Sequence, residues 1–242
     1  MARAASLGRS VSGWQSARLV RRTDLTATGR SLTFAVPRWP GHLAGQHVDV
    51  RLTADDGYQA VRSYSLAGPA RDGTIELGVE AVPRGEVSPY LADALPLGAQ
   101  VEVKGPLGGW FVWRPESREP VLLIAGGSGI VPLMAMLRQR QAAQTDTAFT
   151  LVYSVRDPEQ VWYRAELDRD KTVRTRYVYT RRVPKGEDRP AGRITSQDLD
   201  GLLPPEQTRC YVCGPTGFVE HVADLLITAG YPADHIRTER FG

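Results

Sequence analysis

Polar and apolar residues alternate with a period of two through the first half of the chain. Leu32-Thr33-Phe34-Ala35-Val36 stops at Pro37, and His47-Val48-Asp49-Val50-Arg51-Leu52 stops before the turn residues Asp55-Asp56-Gly57. Residues 74–82 alternate cleanly, and Val101-Glu102-Val103 ends at Lys104-Gly105-Pro106. Successive side chains of a strand point to opposite faces, so alternation punctuated by Gly, Pro and Asp predicts antiparallel strands of a barrel or sandwich. One helix is predicted over 88–95, with Ser88 as N-cap and Pro89 at the first helical position.

From residue 119 the rhythm changes. The segments 121–125, 149–153, 176–179 and 211–213 are apolar runs without alternation, as expected of strands covered on both faces. Helical patterns are read over 132–141, 161–168, 195–202 and 218–229. Strand–helix alternation predicts a parallel sheet wound with helices. The predicted organisation is β + α/β: a tail over 1–13, an antiparallel β-barrel domain over 14–115 and a parallel-sheet α/β domain over 119–242. The charged, Pro-bearing stretch 114–119 separates the two domains.

Composition narrows the class. The chain has 242 residues, 42% hydrophobic and 24% charged, as in ordinary globular proteins. No apolar run approaches the roughly 20 residues of a membrane span, and a cytoplasmic location is expected. The first 22 residues carry Arg3, Arg9, Arg18, Arg21 and Arg22 and no acid. They share the composition of a transit peptide but read as a solvated tail, with order beginning near Trp14. The net charge of +3 suits phosphate ligands or an acidic partner. Without a clustered basic stripe interleaved with aromatics, nucleic acid is not expected. Cys210 and Cys213, the two cysteines, lie on a strand pattern rather than at a helix N-terminus, against a redox Cys-x-x-Cys. Two cysteines also fall short of the about four that hold an iron–sulfur cluster, and no metal site is expected.

Three motifs carry chemistry. The first is Arg62-Ser63-Tyr64-Ser65 on a strand-like segment. Alternation puts Arg62 and Tyr64 on one face, with Ser65 on the other or at a twist. Arg offers a bidentate fork to a pyrophosphate, Tyr a ring to pack on a flat heterocycle, Ser a hydroxyl for a ring nitrogen. Arg84-Gly85-Glu86-Val87-Ser88 follows, just before the predicted helix. Backbone N–H groups at a helix N-terminus favour phosphate. The same residues also make an ordinary turn and cap, and Glu86 stands where an anion would approach.

The second motif, Gly126-Gly127-Ser128-Gly129-Ile130-Val131-Pro132, joins a strand to a helix. It lets phosphate approach the backbone at a helix start, with Pro132 in the first turn. The third, Cys213-Gly214-Pro215, again sits between strand and helix. Its small polarizable thiol can line a nicotinamide, or simply be a buried hydrophobe. The terminal Phe241 can cover one face of a flavin.

In this order the motifs resemble the ferredoxin–NADP reductase superfamily, specifically bacterial FAD-dependent NAD(P)H oxidoreductases without an iron–sulfur domain. The resemblance covers about residues 14–242. It implies Arg62 on the FAD pyrophosphate, Tyr64 on the flavin and ribityl region, and Ser65 near the flavin N5, with Ser63 in the same motif. It matches Gly85, Val87 and Ser88 to a second phosphate segment, in which Gly is usual where Glu86 stands. It matches Gly105-Pro106-Leu107-Gly108 to the turn closing the barrel, and Gly127, Ser128, Gly129, Pro132, Gly214 and Pro215 to the NAD(P) site. It implies Cys213 against the nicotinamide C4 and Glu239 near the reacting atoms, so Ser65, Cys213 and Glu239 are the candidate catalytic residues.

No acid follows the second strand of the α/β half. Ser154 and Arg156 stand there instead, which favours the 2′-phosphate of NADPH, with NADH possible. The expected activity is hydride transfer from NAD(P)H to flavin, then electron transfer to a separate ferredoxin, haem protein or other metalloprotein. A reductase that releases reduced flavin, a non-catalytic nucleotide sensor and a partner-bound electron-transfer subunit remain alternatives. Oligomeric state is not set by the sequence.

Overall fold

In the computed structural model, which describes residues 13–69 and 73–241, order begins with strand β1 (Gln15–Asp24). Gln15, Ala17 and Leu19 point inward, and Ser16, Arg18 and Arg21 point to solvent. Residues 15–22 are therefore a strand and not part of a tail; residues 1–12 lie outside the described residues. The arginine-coated outer face masks the apolar one in any reading by composition.

Five more strands follow: β2 (Gly29–Ala35), β3 (His47–Thr53), β4 (Gln59–Ser65), β5 (Thr74–Glu80) and β6 (Gln100–Leu107). They form one antiparallel sheet ordered β4-β3-β6-β1-β2-β5. Its edges, β4 and β5, meet through a bridge between Leu66 and Leu77 and the Ala67 N–H on the Glu76 carbonyl at 2.8 Å. The sheet thus closes into a barrel at one end and leaves a seam at the other. Leu19, Leu32, Phe34, Val48, Val50 and Leu77 fill it with no exposure, each contributing about 1.5–3 kcal/mol on burial. β6 continues through the expected stop at Gly105–Pro106, because Leu107 still pairs with His47 of β3.

The helix expected over 88–95 is a single wide turn, Tyr90–Ala94, that plugs the barrel with Leu91 and Ala92. Its start carries no side-chain cap. The Ser88 hydroxyl instead accepts the Val82 N–H at 3.1 Å, tying down the loop ahead of the turn.

The second half is a five-stranded sheet of β7 (Val121–Gly126), β8 (Phe149–Val155), β9 (Arg174–Tyr179), β10 (Arg209–Pro215) and β11 (Ile236–Phe241). Its order is β11-β10-β7-β8-β9 and every pairing is parallel. All of β7 and β8 is buried, which is why they lack alternation. Helix α1 (Ile130–Ala143) buries every residue from Ile130 to Leu137. It is pressed between the sheet and residues Ala44, Ala67, Phe111 and Trp113 of the first half. Helix α2 (Arg164–Arg169) is short, and α3 (Thr216–Thr228) covers the opposite face of the sheet with Val219, Val222 and Leu226.

The helix expected over 195–202 is only a turn, Ser196–Asp198. Asp198 is the reason: it accepts the Thr195 N–H at 2.8 Å and the Arg189 guanidinium at 2.6 Å. Its bonds are satisfied in a capped turn, and Gly201 with a left-handed φ of 62° follows.

Two barrel glycines let the halves touch. A Cβ on Gly29 would lie 2.4 Å from the Trp162 ring, and one on Gly78 would lie 2.3 Å from the Val131 side chain. Arg138 of α1 adds a polar tie. It bonds Glu166 of α2 at 2.7 Å, Glu76 of β5 at 3.0 Å and the Ala67 carbonyl at 2.9 Å.

Candidate functional site

The open seam of the barrel is a cavity of about 390 Å³. Arg62, Ser63, Tyr64 and Ser65 of β4 form one wall, and Gly78 and Glu80 of β5 the other. Gly85, Glu86, Val87 and Ser88 close one side, and Ser128, Val131 and Phe241 of the second half close another. Alternation placed Tyr64 and Ser65 on opposite faces; both line this cavity, because it wraps the free edge of β4. Edge strands present backbone N–H and C=O groups beyond their ladder, which a planar heterocycle can use.

Within the cavity each candidate residue is held differently. Arg62 donates to the Glu86 carboxylate at 2.9 Å and to the Val61 carbonyl at 2.7 Å. Ser63 donates to Asp49 at 2.7 Å. Burial, opposed by the Arg62 charge, pushes the Tyr64 phenol up to about 12, so it stays a neutral donor at physiological pH. Gly85 is a tight cradle: a Cβ there would sit 3.0 Å from the Val82 carbonyl and 3.1 Å from the Ser88 hydroxyl. Val87 is buried at 1% exposure and supports the loop from below.

A second cavity, of about 220 Å³, adjoins the first and shares Glu80, Ser128 and Phe241 with it. Gly126, Gly127, Ser154, Arg156 and Pro215 line it. The glycines of the turn serve different ends. Gly127 has φ of 56° and open space where a Cβ would stand, so it leaves an open floor to the cavity. Gly129 is packed against backbone, since a Cβ there would lie 2.2 Å from the Cys213 carbonyl, and a Cβ on Gly214 would lie 2.6 Å from the ring of Phe218, which itself lines the cavity. Pro132 is likewise buried inside α1. The Ser128 hydroxyl reaches across the domain boundary to Glu80 at 2.8 Å.

Arg156 is exposed at the C-terminal end of β8, and among the described residues it has no ion pair. Arg182 beside it is held by Glu159 at 2.5 Å, and Asp157 accepts from Gln160 at 3.2 Å. Arg156 is thus uncommitted among the described residues, while its acidic neighbour is engaged.

The three candidate catalytic residues converge from separate elements. Glu239 of β11 is the register partner of Cys213 in β10. It also accepts the Ser65 hydroxyl of the barrel at 3.1 Å. Burial raises the Glu239 carboxyl, and the Ser65 bond partly offsets that. Cys213 is 1% exposed, and burial, with the Glu239 charge beside it, raises its thiol. Cys210 and Cys213 cannot pair across the strand, since residues three apart point to opposite faces. Accordingly Cys210 packs with the α3 side of the sheet and Cys213 with the α1 side.

The residues present fit two nucleotides. The seam offers a guanidinium, a neutral phenol, free strand edges and the tight Gly85 loop, as an FAD needs. The second cavity offers the open glycine floor where a turn runs directly into α1, as a dinucleotide phosphate needs. Sequence reasoning missed Trp162, Gln160, Thr180 and Glu80, which line the second cavity. Gln160 lies just before the helical pattern of 161–168 and Trp162 inside it, where an apolar ring reads as core; Glu80 was indistinguishable from any outward strand residue.

Barrel, parallel sheet and paired cavities define a two-domain oxidoreductase for flavin and nicotinamide dinucleotides. Residues 16–112 match the oxidoreductase FAD-binding domain family, and residues 123–224 the oxidoreductase NAD-binding domain family. The ferredoxin reductase component of 3-ketosteroid-9-alpha-monooxygenase from Mycolicibacterium smegmatis is 31% identical, over 97% of this chain and 67% of that protein. The reductase component of the naphthalene 1,2-dioxygenase/salicylate 5-hydroxylase systems of a Ralstonia species is 30% identical, over 81% of this chain and 60% of its own. A Bacillus subtilis flavohemoprotein is 29% identical over 84% of the chain and 52% of its length. The chain thus spans about half to two thirds of these relatives.

Among solved structures, the FAD/NAD-binding domain of a Vibrio cholerae nitric oxide dioxygenase superposes with a TM-score of 0.83 at 23% identity. That match covers 94% of this chain and 98% of the other. A Neisseria gonorrhoeae ferredoxin NADP+ reductase with bound FAD and NADP superposes with a TM-score of 0.78 at 21% identity, over 94% and 98%. The chain belongs to the ferredoxin–NADP reductase superfamily, with an FAD-binding and an NAD-binding domain.

Proposed function

We propose that this chain oxidises NADPH and passes the electrons through bound FAD to a separate redox protein, a ferredoxin, a haem protein or another metalloprotein. The observation that carries the reading is the wall shared by the two cavities, where Glu80, Ser128 and Phe241 border both. A nicotinamide and a flavin ring seated in adjoining cavities meet without a large domain movement. A flavin held by these residues would supply the hydride-accepting and one-electron-donating chemistry.

In this reading Arg62, Ser63, Gly85, Val87 and Ser88 hold the FAD phosphates and their loop, and Tyr64 orients the ring system. Ser65 directs its hydroxyl at the reacting edge, with Glu239 as the acceptor that fixes it at 3.1 Å. Cys213 remains a thiol and contributes shape. Gly127, Ser128 and Pro215 seat the dinucleotide, supported from behind by Gly129, Pro132 and Gly214. Phe241 covers the flavin face that the nicotinamide must reach. Ser154 and the unpaired Arg156 take the 2′-phosphate. The chain's part is orientation and exclusion of water.

The test is an absorbance spectrum of purified full chain followed by anaerobic titration with NADPH and with NADH. A flavin spectrum bleached stoichiometrically, at lower concentration by NADPH, is the expected result. A colourless protein that takes up no flavin on reconstitution overturns the reading.

A further inference from the structure

Glu86 stands in the partition between the seam cavity and a third, larger one. That third cavity, of about 670 Å³, is lined by Leu52, Tyr58, Ala60 and Tyr90 on the far side of Glu86, so a dinucleotide with one ring system in the seam has room for its other half beyond the partition. Glu86 lines both cavities, so a diphosphate joining the two would lie beside it.

The carboxylate is bound from both ends. One oxygen accepts Arg62 at 2.9 Å, and the other accepts the Tyr58 hydroxyl at 3.1 Å. These are the donors that a phosphate would take in the same place. The pair is half exposed, 54% for Arg62 and 50% for Glu86, and ion pairs of that exposure are weakly held. While the bond persists, one arm of the Arg62 guanidinium is taken by Glu86 and the other by the Val61 carbonyl.

We propose that Glu86 is a built-in competitor for the flavin diphosphate. It engages Arg62 and has to swing away before the phosphates can seat. The device lowers affinity for phosphate-bearing flavins and leaves flavin exchange easy. The proposal rests on the reading of the seam as the flavin site.

The test is titration of the full chain, freed of flavin, with FAD and with riboflavin, for wild type and Glu86→Gln. Glutamine keeps the size of the side chain and removes its charge. A unit charge within about 5 Å of a diphosphate at a wet surface sets the expected gain: the FAD dissociation constant falls about three- to twenty-fold. Riboflavin, which has no phosphate, binds both proteins within about twofold. Unchanged or weaker FAD binding in Glu86→Gln overturns the proposal and makes Glu86 a support for Arg62. Equal gains for FAD and riboflavin overturn it too, since the effect is then not at the phosphate. If neither flavin binds wild type, the flavin reading of the seam fails with it, an outcome distinct from the other two.

Discussion

Ser65 and Glu239 are 174 residues apart in the chain and share a hydrogen bond of 3.1 Å. The barrel edge and the last strand of the parallel sheet are joined there, beside the seam cavity that Ser65 lines. Because Glu239 is also the register neighbour of Cys213, one bond fixes a hydroxyl, a carboxyl and a thiol relative to one another.

The bond has a pH signature. Burial raises the Glu239 carboxyl, with the Ser65 bond opposing. A carboxyl raised in the folded state binds its proton more tightly there than in the unfolded chain. Its contribution to stability therefore falls as pH rises from the unfolded carboxylate range through the raised folded value. Glu239→Gln keeps an acceptor for Ser65 and removes this titration. In flavin-free protein the variant matches wild type near pH 4 and melts above it at pH 7 and beyond. Thermal melts across that range check the sign; a wild type that gains on the variant as pH rises contradicts it.

The thiols offer a second check. Burial pushes Cys210 up to about 12 and raises Cys213 as well, and both are buried. Neither is a thiolate at neutral pH, and they face opposite sides of the sheet. An aromatic disulfide reagent should label fewer than about 0.1 thiol per native chain within minutes and about two in denaturant. Mass spectrometry after air exposure should find no 210–213 disulfide.

How much of this was legible depended on whether one segment carried the whole signal. β7 and β8 were readable because burial on both faces leaves only apolar residues, and the Gly126–Gly129 turn because it needs particular residues in sequence. β1 was hidden by arginines on its outer face. β11 was hidden because Ile236 is its one buried residue; the rest of the strand is polar or exposed. The seam depends on two edges meeting only near Leu66 and Leu77, and Trp162 on glycines at 29 and 78. Such contacts belong to the folded pairing and leave no mark in any local window.

The glycine turn separates packing from conformation. Gly129→Ala drives a Cβ to 2.2 Å from the Cys213 carbonyl, a backbone clash that costs about 3 kcal/mol or more. Gly127→Ala meets no atom but keeps a left-handed φ of 56°, costing about 1–2 kcal/mol. Denaturant melts should therefore rank the two widely apart. Gly127→Ala should still fold and bind NADPH less well, since its new methyl stands on the open floor of the second cavity.

In the proposed reading Arg156 sets the choice between the two nicotinamide donors. Its neighbour Arg182 bonds Glu159 at 2.5 Å, and Asp157, the next residue in the chain, already accepts Gln160 at 3.2 Å. The rim thus presents an uncommitted guanidinium and no free carboxylate near Ser154. A charge-assisted bond to a 2′-phosphate contributes about 1.5–3 kcal/mol, and about 1.4 kcal/mol is a factor of ten. Arg156→Ala should raise KM for NADPH about tenfold or more and leave KM for NADH within about twofold, with kcat little changed because the group lies away from the reacting atoms. Equal effects on both donors would remove Arg156 from the phosphate site and turn attention to Arg181, whose backbone N–H is bonded to the Arg156 carbonyl at 2.9 Å.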